Sequence, residues 1–115
     1  MDETPFEARV DVLSQIAVMR MVGFIMRPAA DDLDAAFRSA CATGLTTVAL
    51  DFDDVEYLNS TGIALIVGVL RQAREAGLIM LAWGLSDHFR EIFEITRIVE
   101  FMTLYDNEST ALAEA

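Results

Sequence analysis

Apolar and polar positions along the chain fall into short runs that switch between strand and helix periods. Pro5 to Val12 mixes the two kinds and reads as a weak edge strand. Ile16 to Val22 (IAVMRMV) is a compact apolar run of strand length, closed by Gly23. Beyond Pro28, the residues Leu33, Phe37, Ala40 and Cys41 recur at helical spacing, with Asp31 or Asp32 placed to cap that helix and Gly44 to stop it. Cys41, on this stripe, reads as a small core residue. Thr46 to Phe52 (TTVALDF) reads as a buried strand that ends in an acidic loop holding Asp51, Asp53, Asp54 and Glu56. A helix follows from about Thr61 to Ala76, with Gly77 as its C-terminal signal. Leu78 to Trp83 is a third apolar strand. Ser86 then caps a short helix carrying Phe89, Ile92 and Phe93 on one face. Phe101 to Tyr105 reads as a last short strand, and Asn107 opens an Ala-rich terminal helix.

The resulting order is β-β-α-β-α-β-α-β-α. Helices alternating with apolar strands predict an α/β fold with a largely parallel, mixed sheet of four to five strands, covered by about four helices. The 115 residues suit one domain spanning 1–115.

Composition narrows the function classes. Hydrophobic residues make up 54% of the chain, high for so small a domain, which suggests that part of the apolar surface lies at an interface. Eight Lys+Arg, all of them Arg, stand against 19 Asp+Glu, for a net charge of −11. So acidic a surface repels phosphate backbones and anionic lipid, which argues against direct binding to nucleic acid or membrane. A lone cysteine fits a reducing compartment. The N-terminal MDETPFEARV has no apolar stretch of signal-peptide type, and no apolar run approaches a membrane span of about 20 residues. A cytoplasmic protein is expected.

Enzymatic constellations are weak. His88, the only histidine, has no Cys partner at metal-binding spacing, and no nucleophile-elbow pattern surrounds Ser60. The glycines do not form a phosphate-cradling loop. Asp51, Asp53 and Asp54 lie where α/β sheets bind ligands, at a strand's C-terminal end. A receiver-like phosphoaspartate there would want a lysine, and the chain has none; a solvated acidic turn is the plainer reading. No catalytic residue, metal or cofactor is expected.

Ser60 opens a helix, and two readings stand side by side. As an N-cap it satisfies an orphan amide for about 1 kcal/mol. As a kinase target it receives roughly two negative charges, which the helix N-terminus favours and the neighbouring acidic residues oppose. At 100° per residue, Ile63, Ile66, Leu70 and Ala73 cluster toward the sheet. Thr61, Ala64, Gly68 and Glu75 face away, with Leu65 flanking. That outward stripe is small and weakly polar, open either to a partner's backbone or to another helix of the same domain.

The segment from Val48 to Ile63, VALDFDDVEYLNSTGI, resembles the signature of STAS domains, named for sulphate transporters and anti-sigma factor antagonists. That signature is an apolar strand ending in Asp, a short loop with an apolar pair, and Asp/Asn-Ser-Ser/Thr/Ala-Gly-Leu/Ile opening a helix. The likeness continues through Gly77 to Leu81, Gly84-Leu-Ser86, Phe93 to Val99 and Phe101 to Tyr105, nearly the whole chain. The resemblance implies a regulatory binding protein rather than an enzyme. Its partner would be an anti-sigma factor that is also a serine kinase, bound by the unphosphorylated antagonist and released on phosphorylation, so that binding frees a sigma factor. By position, Ser60 would be the phosphoacceptor, with Thr61 its neighbour. Asn59, Thr61, Gly62, Ala64, Leu65 and Gly68 would lie at the partner surface. The family also includes constitutive scaffolds of stressosome-like assemblies and soluble subunits of ABC transporters, the alternative that the resemblance brings with it.

Overall fold

The structure, a computed structural model, describes residues 4–115; the part of the signal-peptide reading that falls on residues 1–3 lies outside them. Five strands form one mixed sheet in the order β1-β2-β3-β4-β5. β1 (Glu7–Leu13) and β2 (Ile16–Ile25) make an antiparallel hairpin. β3 (Thr47–Leu58), β4 (Ile79–Trp83) and β5 (Thr103–Tyr105) then add in parallel. The helices are α1 (Ala30–Ala42), α2 (Ser60–Glu75), α3 (Asp87–Ile95) and α4 (Glu108–Glu114). This is the α/β fold expected from the pattern, with five strands and four helices.

Strand alternation sorts the sheet into two faces. Ala17, Met19, Met21, Val48 and Leu50 meet the inward stripes of the larger helices, including Leu33, Phe37, Ile66, Leu70 and Phe93, and form the main core. On the other face Ile16, Val18, Ala49, Leu81 and Trp83 are covered by α4 through Ala111 and Leu112. Trp83 is fully buried. Gly44 and Gly77, with φ of 77 and 74°, follow α1 and α2 in the left-handed conformation that terminal glycines supply.

Several boundaries differ from the sequence reading, each for a local reason. β2 continues through Gly23 to Ile25. Gly23 has φ of 94°, and a Cβ there would lie 2.8 Å from the Thr4 carbonyl oxygen; Phe24 N–H donates to that same oxygen at 3.1 Å. The glycine marks a close approach within the strand rather than its end. α1 begins after a 3₁₀ turn at Arg27–Ala29, and its N-cap is Ala29, with no side-chain cap. Asp31 and Asp32 sit inside the first turn instead, still favourably placed against the helix dipole. Cys41 is exposed, because the buried stripe is Leu33, Ala36, Phe37 and Ala40, which turns position 41 outward. Phe101 belongs to a 3₁₀ turn, Ile98–Phe101, and the last strand starts only at Thr103. Arg97, at φ of 64°, bends the chain out of α3 into that turn.

The largest difference is the acidic segment, which is strand rather than loop: β3 runs to Leu58. Its first half, Thr47 to Asp51, pairs with both β2 and β4. Its second half pairs only with β2, through Val22↔Asp54, Gly23↔Val55, Phe24↔Tyr57 and Ile25↔Leu58. With no strand on its other side, that half tolerates Asp53, Asp54 and Glu56, all exposed.

Candidate functional site

The extended arm of β3 carries the start of α2 away from the sheet's paired centre. Asn59 keeps an extended backbone (φ −92°, ψ −176°), and its Oδ1 accepts the Gly62 N–H at 2.8 Å. Asn59 is therefore the N-cap, and Ser60 is already the first helical residue. Its hydroxyl is exposed and engaged in no hydrogen bond among the described residues. The first turn of α2 holds no acidic side chain. At about 3.3 Å per strand residue, Asp51 lies roughly 20 Å back along β3 from its end, and Asp53 and Asp54 more than 10 Å. Those separations exceed a Debye length of about 8–10 Å. Hence Asp51, Asp53 and Asp54 oppose negative charge at Ser60 less than a loop would. Glu56, about 7 Å from the end of β3 by the same rise, lies within that length and opposes it, whereas the helix dipole favours it.

The neighbours of Ser60 divide into two groups. Thr61 and Ala64 are exposed, and Leu65 and Gly68 are half-buried. A Cβ on Gly68 would meet nothing within 4 Å, so no other described element stands over that position, whereas Leu65 packs partly against the core. Gly62, by contrast, is buried and faces the backbone of Ile25. It fixes how α2 seats on β2 and offers a partner no surface of its own.

An aromatic row that no sequence spacing revealed borders the same end of the sheet. Tyr57, 44% exposed, lies 5.8 Å from Phe24 and 6.2 Å from Phe89, ring centre to ring centre. These rings come from β2, β3 and α3, and the β2–β3 register brings them together. His88 is exposed and packs edge-on against Phe89 at 5.1 Å.

The carboxylates form a different structure from the acidic turn of the sequence reading. Asp51, buried, is paired with Arg20 directly across the β2–β3 ladder, Nη1 to Oδ2 at 2.8 Å. Arg20 also binds Asp11 through Nε at 3.1 Å, and Glu108 of α4. Hydrogen bonds that Arg20 donates to Glu108, then Asp51 and Asp11, hold the guanidinium protonated against the opposing effect of burial. Asp51 Oδ1 accepts the Asp53 N–H at 2.9 Å. The Asp53 carboxyl is pushed above the ordinary value, first by partial burial and then by the charge of Asp51, with Asp54 and Glu108 adding to it. The β2–β3 register shifts by one residue between Asp51 and Asp54, as at a β-bulge, and both Asp53 and Asp54 are exposed. No group of three His, Cys, Asp or Glu side chains able to hold a metal ion occurs among the described residues. Among them, too, no helix is long and apolar enough to cross a membrane.

Known proteins share this fold. The BtrV protein of Bordetella bronchiseptica is 23% identical over 104 residues, 90% of each chain. The anti-sigma-B factor antagonist of Listeria monocytogenes is 30% identical over 59 residues, which spans about half of each chain, 51% here and 52% there. Among solved structures, the anti-sigma factor antagonist SpoIIAA in its unphosphorylated form aligns with a TM-score of 0.70 at 19% identity, covering 96% of both chains. The phosphorylated form of the Bacillus protein gives 0.69 at 21%, over 95% of this chain and 97% of that one. A sulfate transporter family protein from Wolinella succinogenes gives 0.75 at 20%, over 90% and 86%. At such identities the structural likeness speaks for the fold. The STAS domain family model matches residues 7–111, and the chain belongs to the STAS domain family.

Proposed function

We propose that this protein is a phosphorylation-switched binding regulator that holds an anti-sigma factor with serine-kinase activity and so frees a sigma factor. The observation that carries this reading is the division of labour at the start of α2. Asn59 caps the helix, which leaves the Ser60 hydroxyl exposed and unused beside a small, uncovered stripe of Thr61, Ala64 and Gly68. A phosphate on Ser60 adds roughly two negative charges at the partner surface. It takes nothing from the fold, because the cap belongs to another residue. Resemblance to anti-sigma factor antagonists supports the same role. In this reading the chain is a cytoplasmic regulator that acts by binding, not by catalysis.

Capture from native lysate tests it. Wild type is expected to hold a kinase-type anti-sigma factor, and Ser60→Asp to lose it. Equal capture of scaffold or transporter components by both proteins would instead place the chain in a constitutive STAS assembly, the reading that the fold's likeness to a sulfate transporter family protein keeps open.

A further inference from the structure

The free edge of the sheet at β1 carries an unused pairing pattern. β1 and β2 are joined by the two-residue turn Ser14–Gln15, whose φ values of 49 and 66° belong to a type I′ hairpin, so Leu13 and Ile16 form a hydrogen-bonded pair. Asp11↔Val18, Arg9↔Arg20 and Glu7↔Val22 then continue the inner ladder. The amides and carbonyls of Ala8, Val10 and Val12 point away from β2. Among the described residues nothing pairs there, since β1 is the end strand. Proteins commonly blunt such an edge with charged side chains, lysine above all, or with proline, a bulge or brevity. β1 carries Glu7, Arg9 and Asp11, charges of both signs that can pair across a two-fold axis. β1 has seven residues and no proline, its ladder with β2 has no register shift, and the chain has no lysine. The opposite edge, β5, is protected by being only three residues long.

We propose that β1 pairs antiparallel with β1 of a second copy of this chain, about a two-fold axis at Val10. Val10 then faces the partner's Val10, and Ala8 faces the partner's Val12. These are the residues whose backbone groups point outward, and each facing pair exchanges two hydrogen bonds. Arg9 and Asp11, whose side chains are 69% and 39% exposed, fall in the non-hydrogen-bonded positions, where side chains approach more closely. In this register each Arg9 faces the partner's Asp11. A slip of two residues in one direction sets Arg9 against Arg9, and in the other Asp11 against Asp11, so charge selects the central register. Val12, 54% exposed, gains cover. On the same side lies a groove of about 360 Å³ between β1 and α1, lined by Ala8, Val10, Ala35 and Ser39 and bordered by the charged Glu7, Arg9 and Asp32. The two-fold uses the same edge on both copies, so the assembly closes as a dimer and does not grow into a fibre.

Sedimentation equilibrium of the full chain from micromolar to millimolar concentration, at physiological salt, tests this. The mass is expected to rise from 12.7 kDa toward twice that value. Amide exchange at Ala8, Val10 and Val12 is expected to slow over the same concentration range. Arg9→Asp, which places like charges opposite each other twice, and Val12→Lys should each weaken association at least about tenfold. Both sites are exposed, so at low micromolar concentration, where the chain is monomeric, melting temperatures should be unchanged. A monomer throughout the range overturns the proposal. So does a dimer that both variants leave intact, or one whose formation does not slow exchange at those three amides.

Discussion

Gly62 and Ile25 meet backbone to backbone: a Cβ on Gly62 would overlap the Ile25 carbonyl oxygen and stand 2.7 Å from its carbon. The contact seats the first turn of α2 on the end of β2, and a carbonyl in a paired strand cannot step aside. Gly62→Ala should therefore destabilise the fold by about 1–3 kcal/mol, despite the better helix propensity of Ala. A urea midpoint lowered at unchanged slope would establish this. An unaltered midpoint would show that the helix can shift at no cost.

Gly68 is the opposite case, since a side chain there has open space around it. Gly68→Leu should hold or raise the melting temperature, because leaving glycine in mid-helix gains up to about 1 kcal/mol. The same substitution should weaken binding of the anti-sigma partner by obstructing the outward face of α2. A fall in melting temperature would mean that the stripe is internal packing.

Arg20 ties three elements together, and Asp51 is left buried without it. Arg20→Met should cost about 3 kcal/mol and loosen α4, which reaches the guanidinium through Glu108. Trp83 reports the second effect. It is the only tryptophan and packs beneath Ala111 and Leu112, so its emission should shift to the red. Arg20→Met combined with Asp51→Asn should be milder than the sum of the single changes, because the uncompensated carboxylate is gone.

Asp53 gives the protein a pH-dependent weakness. Its folded-state carboxyl titrates above the ordinary aspartate value of 3.8. Between those two values the folded state holds more protons than the unfolded one, and this group's contribution to stability falls as pH rises through the interval. Asp53→Asn should match wild type below the ordinary value, gain on it through the interval and keep a constant advantage above. Denaturant melts at about pH 3 and about pH 7 measure the difference; an equal gap at both values contradicts the assignment.

Much of this architecture was legible in the sequence because it rests on local periodicity. The apolar run at β4 and the inward stripe Ile66, Leu70 and Ala73 of α2 follow from strand and helix patterns alone. The turn Asn59-Ser60-Thr61-Gly62 was legible as a helix start, yet which residue caps it was not. Asn59 and Ser60 are both good caps, and only the extended backbone at Asn59 decides between them. The reach of β3 to Leu58 was hidden because a half-paired strand can be as acidic as a loop. Arg20 with Asp51, 31 positions apart, and Tyr57 with Phe24 meet only through strand register, which composition does not carry.

The central claim is that Ser60 receives the regulatory phosphate. The most direct measurement is phosphorylation of the purified chain by its captured anti-sigma kinase with ATP, followed by peptide mass spectrometry and a binding assay on the product. One phosphate on Ser60, none on Ser60→Ala, and loss of kinase binding by the phosphorylated chain is the expected result. Phosphate placed elsewhere, unchanged labelling of Ser60→Ala, or a phosphorylated chain that still binds would contradict the switch.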